Sequence, residues 1–89
     1  MEQQIMEQQT IEMKQEPIKV YVKVNENNEI IEVGSSVFIQ NTKDWIKIDE
    51  GFGDKYTHAQ CHYFDKPLMN EDGYYNYRFN YLLNKVFEN

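Results

Sequence analysis

The sequence predicts a small, mainly β protein, all-β or α+β, built on an antiparallel sheet of about four to six strands with a short loop or helical turn at its middle. Three observations carry that expectation. The run from Ile18 to Val24 alternates strictly, with Ile18, Val20, Val22 and Val24 on one side and Lys19, Tyr21 and Lys23 on the other. An Asn-rich turn follows, and Ile30-Ile31-Glu32-Val33 returns as the second arm of a hairpin. Near the C-terminus, Tyr75, Tyr77, Phe79 and Tyr81 alternate with Asn76, Arg78 and Asn80, an aromatic ladder on one face of a strand.

Residues 1–16 stand apart from the single small β-rich domain expected over 17–89. Met1-Glu2-Gln3-Gln4-Ile5, Met6-Glu7-Gln8-Gln9-Thr10 and Ile11-Glu12-Met13-Lys14-Gln15 are near-copies at a five-residue period. Five matches neither 3.6 nor 3.5, so the repeat builds no continuous helical stripe. Glu, Gln and Met are good helix formers, which makes this a flexible or weakly helical extension, closed by Pro17.

After the first hairpin, Gly34-Ser35-Ser36 is expected to break the second strand. Val37-Phe38-Ile39 is a short apolar piece, and Gln40 to Asp44 a polar turn. Trp45-Ile46-Lys47-Ile48-Asp49 reads as a further strand, with Trp45 and Lys47 on one face and Ile46 and Ile48 on the other. The ordinary role of the lone Trp is a core or edge anchor, although an indole also stacks on sugars. Further on, Asp72-Gly73 is a strong turn signal ahead of the tyrosine strand. Leu82 to Phe87 fits both a second hairpin arm and a closing helical turn.

Composition narrows the function classes. Fifteen acids against nine bases give a net charge of −6, which argues against binding a nucleic-acid backbone. The same acidity suits a protein that mimics nucleic acid. One cysteine forms no internal disulfide and offers no paired-cysteine zinc spacing. There is no signal segment and no apolar run near the length of a membrane span, so synthesis in a cytoplasm and no membrane partner are expected. A chain this short has a modest core, which leaves self-association into a homo-oligomer open.

Residues 51–68 gather both histidines, the cysteine, two of the four glycines and one of the two prolines. If 54–62 is helical, Asp54, His58 and His62 share a face with Cys61 adjacent, and these are legitimate ligand types for zinc. Histidines that hydrogen-bond a loop are the commoner outcome of such a pattern, so neither a metal nor another cofactor is expected. A Cys61–His nucleophile pair lacks a glycine-framed elbow and an oxyanion device, so no catalytic residue is assigned and an enzyme is the least supported class.

The Gly53-Asp54-Lys55-Tyr56-Thr57-His58-Ala59-Gln60 segment, then Tyr63-Phe64-Asp65-Lys66-Pro67-Leu68 and Glu71-Asp72-Gly73, resembles a small family encoded in phages and prophages of Firmicutes. Those proteins resemble one another through a Gly-Asp-Lys-Tyr-(His)-His-Ala-Gln core and an aromatic-x-x-Pro-Leu segment, in tail, fibre or baseplate gene neighbourhoods. The resemblance covers about residues 19–78. It implies a non-enzymatic tail- or fibre-associated virion protein, made in a bacterial cytoplasm, whose partners are other tail or fibre proteins or a host surface receptor. Thr57 stands where a first His is common, and Cys61-His62 where Gly-Asn is usual, so only His58 is carried over. The candidate binding residues are Asp54, Tyr56, His58, Gln60 and Tyr63, with Trp45 and Tyr77 behind them. Two other readings stand beside this one: a small acidic phage-encoded inhibitor of a host defence protein, such as a nucleic-acid-mimicking anti-CRISPR, and a glycan-binding module.

Overall fold

The computed structural model describes residues 16–89; the expectations for the N-terminal repeat lie outside them. The chain is mainly β. In order come β1 (Ile18–Val24), β2 (Ile30–Ser35), β3 (Ile46–Gly51), two helical turns α1 (Asp54–Thr57) and α2 (Ala59–His62), β4 (Tyr77–Asn80) and β5 (Lys85–Glu88). The first three strands form an antiparallel sheet of order β2-β1-β3, and the last two an antiparallel ribbon.

The alternation in β1 is realised as expected. Val20 and Val22 are fully buried, while Lys19, Tyr21 and Lys23 are only partly covered on the opposite face. The turn to β2 is held by Asn25. Its side-chain oxygen accepts from the backbone N–H of Asn27 and of Glu29 at 2.9 and 3.0 Å, and its amide nitrogen donates to Glu29 Oε1. Asn28 takes the left-handed conformation (φ 65°) that Asn tolerates.

Strict alternation would place Ile30 and Val33 on opposite faces. The register instead pairs Val24 with Ile30 and Val22 with Val33, leaving Ile31 over as a bulge. Directly opposed residues share a face, so both Ile30 and Val33 turn inward. A second irregularity, at Ile48, sits between the pairs Val20–Asp49 and Tyr21–Lys47. Gly34 does not end β2 as expected. It lies inside the strand opposite Tyr21, and a Cβ there would stand 2.9 Å from Ile39 Cδ1 and 3.7 Å from Trp45 Cη2. Gly34 therefore lets the 36–45 segment fold over the outer face of the sheet. Within the Val37–Ile39 piece only Ile39 tucks in; Val37 and Phe38 are exposed.

The inner face is covered in two halves. The helical turns lie over the end where Val20, Ser35 and Gly51 sit. The β4–β5 ribbon covers the other end, where Val22, Ile30, Tyr77 and Phe79 form the core, with Val33, Ile46, Phe64, Leu68 and Val86 packed around it. Phe79 N–H donates to Asn28 O at 2.8 Å, and a single bridge joins Glu29 to Arg78, so the ribbon docks beside the β1–β2 turn. The tyrosine run is a shorter strand than its pattern suggests. Only Tyr77–Asn80 is paired in the ribbon, Tyr75 makes an isolated bridge to Met69, and Tyr81 already belongs to the next turn. Gly73 (φ 87°) closes the preceding turn against Asn70, as Asp-Gly predicts. The ambiguous Leu82–Phe87 resolves as a turn through Asn84 (φ 55°) into the hairpin arm β5.

Candidate functional site

The site is built on the two helical turns. Gly53 (φ 106°) precedes α1 in a conformation that favours glycine, and Asp54 is the first helical residue. The helix does not run on through residues 54–62. His58, at φ −113° and ψ 49°, interrupts it, and α2 restarts at the buried Ala59. Two contacts fix this pair of turns to the sheet. Ser35 Oγ, fully buried, donates to Thr57 O at 2.8 Å. The Tyr56 ring packs against Gly51, where an added Cβ would be 2.6 Å from its Cζ. Both anchors are small residues whose roles became visible only in the folded chain.

Asp54, His58 and His62 do share a face. The Asp54 carboxylate has Oδ1 2.7 Å from His58 Nδ1 and Oδ2 3.3 Å from His62 Nε2. The two imidazoles meet edge to face at 6.4 Å, and Phe38 approaches His58 from the other side at 5.8 Å. All three polar side chains are about half exposed or more. Among the described residues, no group of three His, Cys, Asp or Glu side chains is disposed to hold a metal ion. Gln60 and Cys61 are exposed beside them and border a recess of about 200 Å³ whose other walls include Val33, Phe64 and Leu68.

The remaining candidates fall elsewhere. Tyr63 hydroxyl donates to Asp49 Oδ2 at 2.8 Å. Burial, and then the Asp49 carboxylate, push its phenol well above the ordinary range. Lys55 Nζ stands 5.0 Å over the Tyr63 ring and 5.7 Å over Tyr56. From Tyr63 an aromatic series runs into the core: edge-to-face on Phe64 at 5.1 Å, then Phe64 stacked on Tyr77 at 4.3 Å. Tyr77 is buried, and its hydroxyl accepts the backbone N–H of Lys66 at 3.1 Å. Tyr56, Tyr63 and Tyr77 thus hold the loop in place. Asp54, His58 and Gln60 are the candidates it displays, joined by His62 and Phe38. Trp45 lies on the outer face of the sheet, with Lys23 Nζ 4.8 Å over its ring, away from the helical turns.

Chemically the loop offers a carboxylate, two imidazoles, an amide and an aromatic edge on a fixed frame, a set suited to directional hydrogen bonding with a partner surface. No family model, no curated protein and no solved structure matches the chain.

Proposed function

We propose that the chain is a non-enzymatic binding protein of a phage tail or fibre, acting by assembly with other tail proteins or by contact with a host surface receptor through its 54–62 loop. One observation carries this reading: polar groups, exposed at Asp54, Gln60 and His62 and half-buried at His58, are held on a loop anchored at Ser35 and Gly51. A polar loop on a rigid scaffold is a common way for a small domain to recognise a partner. The virion tail as its location rests on the resemblance of Gly53–Gln60 and Tyr63–Leu68.

The two other readings draw less support. Glu32 faces Lys23 across the β1–β2 pair, Glu50 faces Lys19 across β1–β3, and Lys47 pairs with Glu50. Acids that alternate with lysines make a poorer nucleic-acid mimic than an unbroken acidic surface. For a glycan module, Tyr77 is buried and the Trp45 ring already carries Lys23.

The test is detection of the chain in purified virions by mass spectrometry, with mass measurement of the purified protein alone and mixed with tail proteins. The expected result is a complex that Asp54→Ala with His58→Ala weakens at least about tenfold while the far-UV spectrum is unchanged. A chain absent from virions and not retained by tail proteins overturns the reading.

A further inference from the structure

Three exposed apolar side chains bracket the point where the described chain begins. Ile18, which opens β1, pairs with Gly51, so Phe52, 63% exposed, stands beside the strand's start on the β3 side. On the β2 side, Ser36 N–H donates to Lys19 O at 2.8 Å, and Lys19 N–H donates to Ser36 Oγ at 3.0 Å. That pairing sets Val37 and Phe38, 54% and 57% exposed, beside the same start. The local turns do not require these side chains. Ser35 makes the 35–39 turn: its hydroxyl oxygen accepts from Val37 N–H, and its carbonyl accepts from the N–H groups of Phe38 and Ile39. Phe52 lies between two glycines.

One segment of the chain is tethered at that spot. Residues 1–15 join the described chain at Glu16 and carry Met1, Ile5, Met6, Ile11 and Met13. Met13 stands three positions and Ile11 five positions before Glu16, within about 10 and 17 Å of it when fully extended. The two outer strands lie about 10 Å apart across β1, so both residues reach either side of the sheet end. The tether gives these residues a high effective concentration at Phe38 and Phe52, which no free partner has. Charge agrees. Lys55, three positions past Phe52, contacts the rings of Tyr56 and Tyr63 but has no carboxylate partner among the described residues. Glu12 lies between Ile11 and Met13 and supplies one.

We propose that the exposed apolar side chains at the start of β1 are the docking surface of the chain's own N-terminal segment, with Ile11 and Met13 covering Phe38 and Phe52. This intrachain contact is independent of the tail-association reading, since it holds whatever the 54–62 loop binds.

Backbone relaxation and amide shifts of the full chain, measured by NMR, test it. In the wild type, order parameters of residues 11–13 should exceed about 0.6. Phe38→Asp with Phe52→Asp should drop them below that value, whereas Met69→Asp, at an exposed position in another loop, should leave them unchanged. In the reciprocal experiment, Ile11→Asp with Met13→Asp should shift the amides of Phe38 and Phe52 and spare those of β4 and β5. Order parameters below about 0.6 in the wild type overturn the proposal. So does order that is indifferent to Phe38→Asp with Phe52→Asp, order that disappears on dilution and hence belongs to a second copy, or a reciprocal shift confined to other residues.

Discussion

Tyr63 is the residue that most directly links the scaffold to the loop. The sequence nominates it for binding as part of the signature loop of residues 53–68, but its hydroxyl is already committed to Asp49 and its ring to Phe64 and Lys55. Its environment sets a pH dependence. The unfolded chain releases the phenol proton near the ordinary value of about 10, while the folded chain holds it to higher pH. Below that value the contribution to stability is complete. Above it the unfolded state binds fewer protons than the folded one, so stability falls as pH rises. Urea midpoints measured between neutral and strongly alkaline pH should therefore decline above about pH 10, and Tyr63→Phe should flatten that decline. At neutral pH the same variant should lose about 1 kcal/mol with the hydrogen bond. Equal alkaline slopes in the two proteins would show that Tyr63 does not carry the effect. None of this was legible beforehand, because Asp49 and Tyr63 are fourteen positions apart and only the fold brings them together.

At the scale of elements, the hairpin, the third strand and the Asp-Gly turn were legible, since each is written in local alternation or turn chemistry. Four things were not, and each has a physical cause. The bulge at Ile31 breaks the period of two that the eye follows, so Ile30 and Val33 both reach the core. Gly34 looks like a strand breaker but serves a close approach of Ile39 and Trp45 from another segment. The tyrosine ladder is cut short because Tyr81 is taken into the turn that Asn84 makes. The break at His58 makes two turns where a loop or a single helical turn is expected, yet keeps Asp54, His58 and His62 together through their side chains. Turns of four residues do not stand alone, and Ser35 is their tether. Ser35→Ala removes the buried hydroxyl that donates to Thr57 O and leaves that carbonyl without its partner. It should cost about 1–2 kcal/mol and act locally. Amide exchange in residues 54–62 should accelerate more than in β1 and β2. Uniform acceleration throughout the chain would mean that the tether is a global rather than a local support.

On the scale of the whole molecule, the 54–62 loop and the tip of the β4–β5 hairpin lie at opposite ends of β1. The 54–62 loop is anchored where Val20 pairs with Ser35 and Ile18 with Gly51, and the hairpin tip abuts the turn that follows Val24. The seven residues of β1, six steps of strand, span about 20 Å, too far for side chains at one end to touch those at the other. Substitutions at the two ends should then act independently. Asp54→Ala with His58→Ala at one end and Leu82→Asp at the other should therefore shift the urea midpoint additively, to within about 0.5 kcal/mol. A combined variant that departs from the sum by more than this would show that the two ends are coupled through the sheet.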